Sequence, residues 1–108
     1  MKPVFKASFA SFVKKQSRPF QLAIVDMVEK VCSNPHIGEA KAGDLQGMRV
    51  VKFTFQRQQY LVAYRPPSAA EMSLVGAARE SLSIDFYQLG THENFYANLK
   101  KYLKSRGT

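Results

Sequence analysis

Cysteine is almost absent from this chain of 108 residues, and tryptophan is missing altogether. A single cysteine, Cys32, excludes an internal disulfide framework. Two histidines, His36 and His92, are too few for the ligand cluster of a zinc site, so neither a metal nor a cofactor is expected. No stretch approaches the roughly 18 consecutive apolar residues of a membrane-crossing helix, so no membrane partner is expected. The opening MKPVFKASFASFVKK carries Lys6 inside its apolar stretch and has no Ala-x-Ala cleavage pattern. A secretory signal is therefore not expected, and the protein reads as cytoplasmic. Acidic residues are also scarce: eight Asp and Glu stand against sixteen Lys and Arg, for a net charge of +8.

What is present suits one compact domain, 1–108. Apolar residues make up 45% of the chain, including eight Phe and five Tyr. A fold of this size removes roughly 65% of its unfolded surface from water and requires no staple. The positive charge favours phosphate backbones or an acidic partner protein, although net charge also serves solubility alone. It is spread along the chain rather than gathered in a tail, which suits a folded surface.

The apolar spacing predicts an α+β fold. Residues 3–7 read as a short edge strand, with Pro3 tolerated at its start. A helical pattern begins at Ser8, with Phe9 and Phe12 apolar. Ser17-Arg18-Pro19 then reads as a helix start, Ser17 as N-cap. Phe20, Ile24, Met27, Val28 and Val31 follow as one buried stripe, and Asn34-Pro35 ends that helix. Residues 36–47 have no period and read as a loop. Alternation predicts strands over 48–56, 60–65 and 82–89, with a hairpin at Arg57-Gln58-Gln59. Residues 68–81 fit a short helix, a loop or part of a strand. Gly90-Thr91 precedes a final helix, 92–103, whose apolar side is Phe95, Leu99, Tyr102 and Leu103. The expected architecture is two N-terminal helices packed on a small antiparallel sheet, with a C-terminal helix and one sheet face left free.

Three residues carry most of the chemical signal. With Thr91 as N-cap, His92 would take the first helical position and Tyr96 would lie one turn on, on the same face. A helix N-terminus favours phosphate, an imidazole exchanges protons near neutral pH, and a phenol can donate to a phosphoryl oxygen. The same pair also reads as a surface helix start and a ring packed on the sheet edge. Lys52 points away from the Val51/Phe53/Phe55 stripe, toward a ligand or simply toward solvent. Arg65 and Arg57 are candidate phosphate contacts, Arg57 at a hairpin tip where it also reads as purely solvating, and Lys100 is a further substrate-binding candidate. Cys32 reads as packing, and no role is assigned to His36. Together Lys52, His92 and Tyr96 could support metal-free RNA cleavage, which needs a base, an acid and cations but only RNA's own 2′-hydroxyl as nucleophile.

The chain resembles the RelE/ParE superfamily of bacterial toxin–antitoxin toxins, the RelE-like branch in particular, from about Phe5 to Leu103. The resemblance rests on Asn34-Pro35-His36-Ile37-Gly38, Gly43-Asp44-Leu45-Gln46-Gly47, Gln59-Tyr60-Leu61-Val62-Ala63-Tyr64-Arg65, and Gly90-Thr91-His92-Glu93-Asn94-Phe95-Tyr96 before Leu99-Lys100-Lys101-Tyr102-Leu103. It implies a small sheet packed on two helices and an antitoxin partner, often acidic in its toxin-binding part. The RelE branch cleaves messenger RNA on the ribosome without a metal, while the ParE branch poisons DNA gyrase. By position, the resemblance makes Lys52 a catalytic strand lysine, His92 a general acid or base, and Tyr96 the aromatic near the scissile phosphate. One departure stands out: RelE-like nucleases read Tyr-Arg-Leu-x-Tyr where this chain has Tyr60-Leu61-Val62-Ala63-Tyr64. Three functions follow as expectations: a ribosome-associated endoribonuclease, a non-enzymatic gyrase inhibitor, or a degenerate member that binds only its antitoxin.

Overall fold

A computed structural model describes residues 1–105. The elements run β1 (Lys2–Phe5), α1 (Ala7–Lys14), α2 (Arg18–Ser33), β2 (Glu39–Ala40), a 3-10 turn (Gly43–Leu45), β3 (Arg49–Phe55), β4 (Gln58–Arg65), α3 (Ala69–Met72), α4 (Gly76–Glu80), β5 (Ser83–Gly90) and α5 (Phe95–Ser105). The fold is α+β, as the spacing predicts, around one five-stranded sheet of order β1-β5-β4-β3-β2. Strands β2 to β5 pair antiparallel, but β1 lies parallel to β5. The sheet is therefore mixed. No tight turn forces β1 against a sequence neighbour; the helical pair α1–α2 follows it and carries the chain across to the far edge.

Helix α2 forms where the stripe predicts it. Ser17 Oγ accepts a hydrogen bond from Phe20 N at 3.4 Å and Pro19 sits in the first turn. Phe20, Ile24, Met27, Val28 and Val31 are all buried, against Val62, Tyr64, Ile84, Phe86 and Leu89 of the sheet. Aromatic rings lock this layer: Phe20 stacks on Phe55 at 4.7 Å and tilts against Tyr60 at 4.8 Å, while Phe9 meets Phe86 at 5.5 Å. Five such side chains contribute on the order of 10 kcal/mol to seating α2, before the entropy of ordering it is subtracted.

The β3–β4 connection is tighter than expected. Gln56 and Arg57 form a two-residue turn with φ of 49° and 69°, so the strands reach further toward each other than the predicted three-residue hairpin allows. Such turns ordinarily favour Asn-Gly, which is why this sequence conceals one. The segment 68–81 resolves into α3 and α4, with Ser68 and Glu71 capping each other reciprocally.

The expectation of a free sheet face is overturned. Helix α5 lies on it, and Leu45, Met48, Val50, Leu61, Ala63, Phe95 and Leu99 form a second core there. The first face is already filled by α1 and α2, so the apolar stripe of the last helix leaves water only by covering this one. Buried Gln88 donates from Nε2 to the Phe95 carbonyl at 2.8 Å and fixes where α5 begins. What stays open is the rim around that helix.

Candidate functional site

The sheet register sets the first candidate. Lys52 on β3 stands opposite Leu61 on β4, and Leu61 stands opposite Gly90 on β5. Directly paired residues share a face, so Lys52 projects on the side that α5 covers. Gly90 lies two strands away, roughly 10 Å across the sheet. Two residues further along is His92.

His92 does not open a helix, contrary to the sequence expectation. Helix α5 begins at Phe95, and residues 92–94 form a turn closed by Phe95 N donating to the His92 carbonyl at 3.2 Å. Asn94 takes φ of 59° and its carbonyl accepts from Asn98 N at 2.9 Å. Asparagine tolerates this left-handed conformation, and it postpones the helix by three residues. The free N–H groups of the helix therefore start beyond His92, and the phosphate-binding helix end expected at Thr91 is not built. The juxtaposition with Tyr96 survives by another route: the two rings meet edge-on at 6.0 Å.

Lys41, which sequence reasoning missed, joins these groups. Its Nζ lies 5.2 Å from the centre of the Tyr96 ring and 2.5 Å from Glu39 Oε1. The Glu39 hydrogen bond holds the Lys41 ammonium above the ordinary lysine range, against the opposing effect of burial, and the Tyr96 hydroxyl adds to it. Glu39 is held below the ordinary carboxylate range, chiefly by that bond; the charge of Lys52 acts in the same direction. A chain of contacts thus runs His92–Tyr96–Lys41–Glu39, and Lys52 acts on Glu39 through its charge alone. Lys41 follows β2, a two-residue strand inside an aperiodic stretch, so no pattern announces it.

A scan of protein-family models matches residues 4–100 to the ParE-like toxin of type II bacterial toxin–antitoxin systems. The chain belongs to that family. No curated protein and no solved structure gives a significant match. Membership implies an antitoxin partner. No helix of the toxin among the described residues is long and apolar enough to cross a membrane, and no three of their His, Cys, Asp and Glu side chains gather to hold a metal ion.

The remaining candidates divide. Arg65 ends β4, with its guanidinium 5.6 Å from the Tyr87 ring centre. Arg57 sits in the hairpin turn at the other end of β4, roughly 25 Å of strand away, and is not brought to the same place. Lys100 is exposed on α5, one turn beyond Tyr96. Burial pushes the Cys32 thiol up, consistent with packing rather than nucleophilic chemistry. Leu61, at the position where RelE-like nucleases carry arginine, is 1% exposed beneath Phe95 and Leu99.

A cavity of about 570 Å³ lies between β1, α1 and α2. Its walls are carbon-rich, with no imidazole or phenol, so chemistry points to the His92 rim instead. There an imidazole, a phenol and the Lys41 ammonium adjoin, a set able to stabilise a phosphoryl group as its charge grows.

Proposed function

We propose that the toxin is a metal-independent endoribonuclease that cuts messenger RNA on the ribosome in the cytoplasm and so arrests translation. The observation that carries this reading is the edge contact of His92 with Tyr96, beside the Lys41 ammonium and on the face that bears Lys52. In the reaction, the 2′-oxygen attacks phosphorus and gives up its proton to a base. The bond from phosphorus to the 5′-oxygen breaks, and that oxygen takes a proton from an acid. His92 serves one of these transfers, Tyr96 orients the phosphate or donates to it, and Lys41 and Lys52 offset the charge that builds on the phosphoryl oxygens. DNA has no 2′-hydroxyl, so the apparatus acts on RNA. The antitoxin is expected to present an acidic segment that folds on the toxin and neutralises its cationic rim.

A second reading, inhibition of DNA gyrase without catalysis, is favoured by one observation. Leu61 removes the phosphate-clamping guanidinium of the RelE-like nucleases, a loss of about a hundredfold in rate if nothing replaces it. The two readings separate on purified components. Incubated with ribosomes programmed by a defined message, the toxin should cut the message, and a 2′-deoxynucleotide at the cut position should stop the reaction. Intact message together with loss of gyrase supercoiling would establish the second reading.

A further inference from the structure

A cleft of about 500 Å³ opens beside the His92 rim, between the loop after β2 and the residues that follow β4. Lys41, Arg49, Arg65 and His36 line it, with Glu71 as its carboxylate. From its place in the fold we infer that it is a second phosphate subsite, holding the phosphodiester next to the one at His92 and Lys52. This rests on the nuclease reading.

Arg65 is one of the cations that line the cleft. Its guanidinium lies over the half-buried Tyr87 ring at 5.6 Å, and its Nε comes within 4.0 Å of the point where a Cβ would stand on Gly47. Gly47 takes φ of 90°, a conformation that favours glycine, and the arginine runs past this turn. A guanidinium resting on a ring is partly oriented, and loses less freedom when it grips a ligand.

Its charge is also unspent. The cross-strand neighbour, Asp85, pairs with Lys6 at 4.0 Å. Among the described residues only Lys6–Asp85 and Lys41–Glu39 form ion pairs, so no carboxylate there holds Arg65. Glu71 turns an oxygen to Ser68 N at 2.9 Å as part of the α3 cap. Arg49 gives Nη1 to the carbonyls of Gly38 at 2.6 Å and His36 at 3.3 Å, so it adds fixed positive charge without being free to reach. A planar fork of N–H donors suits the paired oxygens of a phosphate. Lys41 lines the cleft and also faces the Tyr96 ring, so it links the cleft to the His92 rim.

The test measures binding of a short single-stranded RNA, 2′-deoxy at the cut position so that it stays intact, over a range of salt. Arg65→Gln should weaken binding roughly tenfold and lower the slope of log affinity against log salt by about 0.7, the share of one single-strand phosphate. Replacing one flanking phosphate by a neutral methylphosphonate should weaken the native toxin equally, and should add nothing to Arg65→Gln. Native salt dependence with no change in Arg65→Gln overturns the subsite and leaves the nuclease reading standing. No binding of the RNA by the native toxin, either free or seated on ribosomes, overturns both. Poly-glutamate bound in an Arg65-dependent manner, with RNA affinity unaffected, would assign the cleft to an acidic peptide instead.

Discussion

The hydroxyl of Tyr64 accepts a hydrogen bond from the backbone N–H of Gly38 at 2.9 Å and donates one to the carbonyl of Pro35 at 2.8 Å. One fully buried phenol therefore ties the Asn34-Pro35-His36-Ile37-Gly38 segment to the middle of the sheet. A Cβ on Gly38 would stand 2.9 Å from that oxygen and 3.0 Å from the backbone of Val50, so only glycine fits. The segment leads into β2 and Lys41, which makes Tyr64 the anchor of the site's missed cation.

Tyr64→Phe should therefore destabilise the fold by about 3 kcal/mol, because it leaves a buried N–H and a buried carbonyl without partners. Chemical denaturation measures the loss. Burial holds the Tyr64 phenol above its ordinary range. The stability it gives is complete below the ordinary tyrosine pKa and is lost as pH rises through the raised one. The difference between native and Tyr64→Phe should accordingly shrink in strong alkali; a difference that grows there contradicts the buried position.

The Glu39–Lys41 pair gives a pH dependence of its own. Lys41 is raised, so its contribution is complete below the ordinary lysine value and disappears only as pH climbs through the raised one. Glu39 is lowered, so its contribution is complete above the ordinary carboxylate value and disappears as pH falls through the depressed one. The pair is intact across the whole neutral range, with Lys41 protonated and Glu39 ionised throughout. In Glu39→Gln, NMR titration of the Lys41 side chain should move downward toward the ordinary value. An unchanged titration would mean the pair does not form in solution.

His92→Ala should lower RNA cleavage by about a hundredfold or more while leaving the thermal midpoint nearly unchanged, since His92 is exposed and lies outside both core clusters. Tyr96→Phe should cost less, about tenfold, because the ring against His92 remains and only the hydroxyl is lost. Single-turnover cleavage of a defined RNA, with melting curves of each variant, reads both effects.

Leu61→Arg restores the residue that RelE-like nucleases carry, and it should fail to restore anything. The side chain is sealed under Phe95 and Leu99. A guanidinium forced there has no carboxylate to meet, and should lower stability by on the order of 3 kcal/mol or more or expel α5. Denaturation midpoints and tryptic cleavage within α5 check this. A stable variant with faster cleavage would show that α5 lifts easily from the sheet.

The parts of this fold written as long periods were legible in the chain. The stripe from Phe20 to Val31 predicts α2, and the alternation at Val51, Phe53 and Phe55 predicts β3 and the face it buries. Ser17 and Asn34-Pro35 mark the ends of α2 because their chemistry is local. Features decided by one or two backbone angles were not legible. The turn at Gln56 and Arg57 uses residues that seldom adopt positive φ, and Asn94 delays α5 in the same way. Two-residue β2 is too short to alternate, so Lys41 stayed hidden inside a loop. The covering of the second sheet face is a tertiary outcome that helix periodicity alone does not assign to either side.

The most direct test maps transcript 5′ ends in cells induced for the toxin and, in parallel, for His92→Ala. The nuclease account predicts new 5′ ends within coding sequences, at positions occupied by ribosomes, that vanish with His92→Ala as growth resumes. Intact transcripts accompanied by DNA-damage signalling, with growth arrest equally strong for both proteins, would contradict it.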